Sequence, residues 1–215
     1  MKRLYLLILG VGALSLLAWV IATSNIQPMT SSESPAVGIA EWVSQAVTVA
    51  DEVAEADLIV RAKVTHVNQA RKLKQVLPHY SSDATVDDTF VDIMPFTDSE
   101  MAVLEVYKGS AEPHITVMQT GGSLPAENGD AAMNLVTRDD PLFVAGSEHI
   151  LFLKDITGDP VHGQGRKLYN VVNPAGRYEI RGITVFSPSE FPAASSRPRT
   201  LDELIGQFKQ ALARQ

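Results

Sequence analysis

Residues 56–67 read ADLIVRAKVTHV, the longest β-like run outside the N-terminus. Leu58, Val60, Ala62 and Val64 recur at every second position, and Arg61, Lys63 and Thr65 fall between them. Side chains alternate across a strand, so this spacing predicts a strand with one buried and one wetted face. The later strand-like segments all read as its partners.

Residues 101–107 (MAVLEVY) form a second strand, ended by Lys108-Gly109, and residues 114–119 (HITVMQ) a third, ended by Gly121-Gly122. Residues 148–154 (EHILFLK) are the fourth; four consecutive apolar residues there predict burial on both faces. Residues 168–172 make a fifth strand, and 176–186 read as a hairpin around Arg181-Gly182. A short helical turn over 48–55, capped by Thr48 with Asp51 and Glu52 in its first turn, leads into the opening strand. Near the C-terminus Thr200-Leu201-Asp202-Glu203 is a capping box. Leu201, Leu204, Ile205, Phe208 and Leu212 follow at helical spacing, so this helix packs one face onto the domain. Five or six short strands with one capped helix predict a mainly β fold, a small antiparallel barrel. A two-sheet sandwich is the alternative.

The chain's ends bear on compartment. Met1-Lys2-Arg3 is followed by an uncharged run from Leu4 to Ala22. As a helix that run spans about 28 Å, close to the thickness of bilayer hydrocarbon. Lys2 and Arg3 precede it and the next basic residue is Arg61, an asymmetry that puts the N-terminus in the cytoplasm and the rest outside. Trp19 sits near the outer end, where an interfacial aromatic belongs. A cleaved signal peptide ending at Val20-Ile21-Ala22 is the alternative, although the apolar run exceeds the usual core of such a peptide. The expected organisation is a cytoplasmic tip (1–3), a membrane anchor or signal peptide (4–22), a Ser/Thr/Pro-rich flexible linker (23–38), a β-barrel domain (39–190), a connector (191–199) and a C-terminal helix (200–215).

Residues 68–100 are a long polar interval, basic at Arg71, Lys72 and Lys74 and acidic from Asp83 onward. An insertion of that length is not explained by folding a small barrel, so it is an excursion with its own short strands or a mobile segment. Long loops on a rigid scaffold are where binding groups sit. Arg71, Lys72, Lys74, Tyr80, Phe90 and Phe96 are therefore the candidate partner-binding residues.

The order ADLIVRAKVTHV, polar loop, AVLEVYKG, an ITV strand and AGSEHILFLK resembles the netrin-like module, whose best-known members are the tissue inhibitors of metalloproteinases. The matches are residues 56–63, 103–109 and 146–153, and the resemblance covers 56–153. It implies an oligonucleotide/oligosaccharide-binding (OB) type barrel with a helix packed against it. Those inhibitors chelate the protease zinc through an N-terminal cysteine and brace the inhibitory ridge with disulfides. This chain has no cysteine, so the resemblance implies the fold and not that inhibition. The pattern also resembles bacterial membrane-anchored proteins of unknown role built on the same barrel.

Signatures of chemistry are missing. There is no G-x-S-x-G, H-E-x-x-H or Walker loop, so no catalytic residue, metal or cofactor is expected. Gly163-Gln164-Gly165 has Leu168 where a phosphate cradle needs a third glycine, and reads as loop. The five histidines show no i, i+4 pair; His114 and His149 lie at strand starts. Asp87-Asp88 and Asp139-Asp140 lack the alternating spacing of a calcium loop. Arg61 and Lys63 read as surface charge on the wetted strand face. A net charge of −7 leaves no basic footprint, so no nucleic-acid partner is expected. The expected function is a non-catalytic, membrane-tethered extracytoplasmic module that binds a protein, peptide or glycan. A protease inhibitor acting through a loop is the alternative, and an enzyme with an unrecognised site is the third reading.

Overall fold

The structure is a computed structural model that describes residues 36–38, 46, 48–80, 86–126, 132–163, 165–188 and 197–215. The expected cytoplasmic tip, membrane anchor and most of the linker lie outside the described residues. Among the described residues no helix is long and apolar enough to cross a membrane.

The elements in chain order are β1 (Ala36–Gly38), α1 (Val49–Glu55), β2 (Leu58–Val67), β3 (Arg71–Tyr80), β4 (Val86–Lys108), β5 (His114–Thr120), β6 (Gly122–Leu124), β7 (Met133–Thr137), β8 (Glu148–Asp155), β9 (Tyr169–Val171), β10 (Arg177–Arg181), β11 (Thr184–Phe186) and α2 (Leu201–Leu212). β2 pairs antiparallel with both β4 and β8, and β4 continues to β5. β5 lies parallel to β9, and β9 returns antiparallel to β8, which closes the ring β2-β4-β5-β9-β8. A closed five-strand barrel thus replaces the sandwich alternative. β10 and β11 extend the sheet beyond β8, and β1, β6 and β7 form a separate small sheet.

The alternation in β2 sorts as its spacing predicts. Leu58, Val60, Ala62 and Val64 belong to the barrel interior with Met101, Val117, Leu151, Leu153 and Val171. Ile59, which the alternation alone assigns to the wetted face, is buried under the helices instead. β8 is buried on both faces: Leu151 and Leu153 face the interior, and Ile150 and Phe152 face the helix layer. Gly109 ends β4 with φ at +78°, and a Cβ there would stand 2.5 Å from the Asp57 carbonyl oxygen. Only glycine tolerates both the positive φ and that approach.

The 68–100 interval is an excursion with its own strands, a hairpin. β3 pairs with the first half of β4 from Arg71↔Phe96 to Tyr80↔Val86. β4 is one strand of 23 residues, so the strand expected at 101–107 is the end of a single element that begins at Val86 inside the polar interval. Phe96 pairs with Arg71 on one side and Thr120 on the other, so the ladder passes from β3 to β5 without a break. The linker expected over 23–38 also ends in a strand, because Ala36–Gly38 pairs parallel with β7.

Both helices are capped by threonine. In α1 the box is complete: the Asp51 amide donates to Thr48 Oγ1 (3.2 Å) and the Thr48 amide to Asp51 Oδ2 (3.0 Å). In α2 the Glu203 amide donates to Thr200 Oγ1 (3.2 Å), but the Glu203 carboxylate accepts from the Arg199 amide (2.9 Å), one residue before the cap. Leu204 and Phe208 of α2 are fully buried and Ile205 is packed at their margin, as the spacing requires. The Phe208 ring lies 4.7 Å from Tyr107 and 6.2 Å from Phe152, centroid to centroid. Phe208→Ala is expected to destabilise the fold by about 3–5 kcal/mol in denaturant unfolding. A cost near zero would mean that α2 does not dock as described.

Candidate functional site

The start of β3 faces the 156–168 segment that joins β8 to β9, and a buried carboxylate fastens the two together. Asp98, 4% exposed, accepts at Oδ2 from Arg71 Nε (2.9 Å) and from Arg166 Nη1 (2.9 Å). Arg71 Nη2 also donates to the His162 carbonyl oxygen at 3.1 Å. The His162 ring packs edge-on against Phe96 at 5.2 Å and meets Asp159 Oδ1 through Nδ1 at 3.1 Å. The backbone N–H of His162, first among several donors, holds the Asp159 carboxyl below its usual range. Beneath this clamp Leu73, Phe96, Met118 and Leu168 form a small apolar core. Gly163 is wound so tightly that a Cβ would meet the Ile156 and Thr157 carbonyl oxygens at 2.6 and 2.7 Å, which gives that loop glycine its reason.

Above the clamp lies an open groove of about 490 Å³ lined by Lys72, Leu73, Lys74, Pro160 and Val161. Side chains alternate along β3, so Lys72 and Lys74 stand exposed on one face while Arg71 and Leu73 turn to the other. Of the six candidate residues, Lys72 and Lys74 reach the groove. Arg71 is engaged by Asp98 and His162, and Phe96 is 3% exposed, so both build the groove's support rather than its surface. Tyr80 and Phe90 lie further out on the hairpin, and their side chains are outside the described residues. The opposite wall, Pro160 and Val161, was missed because nothing local in GDPVHG marks a binding loop; only the pairing of β8 with β9 brings it to β3.

A second cluster, largely polar in sequence yet buried, fills the space between β5, β10 and the 138–147 segment. Asp140 Oδ1 accepts from Gln119 Nε2 (2.9 Å) and Arg177 Nη1 (3.0 Å), and the Pro141 carbonyl oxygen accepts from both as well. The Arg177 guanidinium lies 3.9 Å over the Phe143 ring, whose edge-on neighbour at 5.0 Å is His149. Asp140 and His149 are each 1% exposed. The Ser147 hydroxyl donates to the Val144 carbonyl at 2.6 Å, so it accepts from His149 Nε2 at 2.7 Å and the imidazole proton sits on Nε2. Burial, and after it the charge of Arg177, pushes this imidazole down to about 3.

The Ser147–His149 contact has the spacing of a nucleophile and its base, but its chemistry is poor. An imidazole so depressed is a weak base at neutral pH. The nearby amides are also spent: Gly146 N–H goes to Val64 and Ser147 N–H to Val144, which leaves those two unable to serve an oxyanion. The cluster serves instead as a fully packed plug at one end of the barrel. Among the described residues no group of three or more His, Asp or Glu stands close enough to hold a metal. Comparison with protein-family models, curated proteins and solved structures finds no match for this chain.

The plug makes stability depend on acid. The folded value of His149, about 3, lies below the ordinary 6.5, so the unfolded chain takes up a proton that the folded one refuses. The contribution of neutral His149 is complete above about pH 6.5 and is lost as pH falls toward about 3. Urea unfolding across that window should show stability falling with acid in the native protein and a flatter profile in His149→Gln. Identical slopes in the two proteins would contradict a buried, neutral His149.

Proposed function

We propose that this protein is a non-catalytic binding module, tethered by residues 4–22 with its barrel outside the cytoplasm, and that it takes an extended polypeptide segment along β3. The observation that carries this reading is the groove between Lys72–Leu73–Lys74 and Pro160–Val161, held open by the buried Asp98 clamp. Numbered along the chain, the barrel strands run 1-2-3-5-4 and close on 1, with the parallel contact between the third and fifth. That order supports an OB-type barrel and, through it, the netrin-like resemblance of residues 56–153. In OB barrels ligands sit between the connection joining strands 1 and 2 and the one joining strands 4 and 5. Here those connections are the β3 hairpin and the 156–168 segment, the two walls of the groove.

A polypeptide occupant is favoured by the backbone. Among the described residues β3 pairs only with β4, so its other edge offers main-chain donors and acceptors to an added strand. Charge narrows the occupant further. Lys72 and Lys74 stand two apart across from apolar Pro160 and Val161, which suits alternating acidic and apolar residues. The same lysines disfavour a second copy of β3, whose own lysines they would repel.

A random peptide display library panned on the full chain tests this reading. Enrichment of extended sequences with alternating acidic residues is expected, together with its loss in Lys72→Glu/Lys74→Glu. No enrichment, or enrichment that the double variant leaves unchanged, would overturn it.

A further inference from the structure

Glu52 is a carboxyl with no place in the groove or the plug, and it is 2% exposed in the apolar layer between the barrel and the helices. It sits on α1, a helix of seven residues whose Val49 and Val53 enter the same layer. The Tyr178 hydroxyl of β10 donates to Glu52 Oε2 at 3.2 Å. The groups β8 and α2 add to that layer are apolar: Phe152, Leu204 and Phe208. The charged groups that act on Glu52 are Arg197, at the entry to α2, and Asp51, its neighbour on α1. Further hydrogen bonds meet α1 near its ends. Asn173 Nδ2 donates to the Ala46 carbonyl (3.0 Å), Lys108 Nζ to that of Val53 (2.6 Å) and Lys154 Nζ to that of Glu55 (2.7 Å).

We infer that Glu52 is a proton-held latch: while its carboxyl is protonated it seals α1 against β10 and α2, and its ionisation loosens α1 from the barrel. A neutral carboxyl accepting one hydroxyl hydrogen bond costs less in an apolar layer than a carboxylate, which there exchanges its water for the Tyr178 hydroxyl and the charge of Arg197. Burial raises this carboxyl to about 8, against the lowering pull of Tyr178 and Arg197 and with a small push from Asp51. The folded value exceeds the ordinary 4.5, so the fastening is complete below the ordinary carboxyl range and is lost as pH rises through about 8. Its direction is opposite to that of His149.

Two readouts on the full chain test it. The first is infrared difference spectroscopy between pH 6 and pH 9. A protonated-carboxyl band present at pH 6 should vanish toward pH 9 with a midpoint near 8, and Glu52→Gln should lack it. The second is limited proteolysis within residues 46–57, normalised to a free peptide of the same sequence. Cleavage should rise at least tenfold from pH 6 to pH 9 in the native protein and stay flat in Glu52→Gln. Should Glu52→Gln fail to fold, Tyr178→Phe replaces it. That variant removes the donor that the ionised carboxyl uses, so the midpoint should move to higher pH. Absence of the band, cleavage equal at the two pH values, or a midpoint unmoved in Tyr178→Phe would overturn the latch.

Discussion

Strand β8 shares a ladder with β2 along one edge and with β9 and β10 along the other, and it is buried on both faces. The closed barrel, the helix layer and the plug are each attached through it. Its interior face supplies Leu151 and Leu153 to the barrel core, and its outer face supplies Ile150 and Phe152 to the helices. His149, at its start, belongs to the plug around Arg177. A strand paired on both edges has no free backbone to exchange with solvent or with another chain, which is how a barrel removes the hazard of an open edge. One free edge that the described residues retain lies on β3, away from this closure.

Three buried carboxyls fall into two kinds, and the contrast explains the division of labour. Asp98 is met by two arginines, and the pair of contacts fixes the hairpin base to the 156–168 segment. Asp140 is met by one arginine and one glutamine amide, and it locks the 138–147 segment across the barrel end. Breaking one partner of such a pair leaves an uncompensated charge, so each acts as a strong positional constraint whatever its net contribution to stability. Glu52 is met by the Tyr178 hydroxyl in an apolar layer, and burial raises its carboxyl to about 8. The groove is thus placed on a rigid support, while α1 is attached by a titratable one.

Much of this fold was legible in the chain because β2 and β8 carry strong apolar patterns and glycines follow β4 and β5. Leu58, Val60, Ala62 and Val64 declare their face by spacing alone, and the uninterrupted ILFL of β8 declares burial on both sides. Thr48 and Thr200 mark the helix starts through local hydrogen bonds that need no tertiary information. The hairpin was less legible: RKLKQ has one apolar residue among five, so hydrophobic periodicity has little to report. The sites were least legible of all. Asp98, Asp140, Arg177 and Glu52 look like solvated surface charges in sequence, and only strand pairing between residues far apart along the chain reveals that they are buried. Phe96 shows the reverse, an aromatic that reads as an exposed anchor and turns out to be core.

Closure of the barrel together with an open β3 edge is the claim on which the binding reading and the layer arrangement both rest. Residue-resolved amide hydrogen exchange measures it directly, because the amides of successive residues in a strand point to opposite edges. Successive amides at residues 149–151 of β8 should all be strongly protected and exchange together, since both edges are paired. Along β3 protection should alternate, with every second amide exchanging rapidly at the unpaired edge. Alternating protection along β8, or uniform protection along β3, would contradict the account.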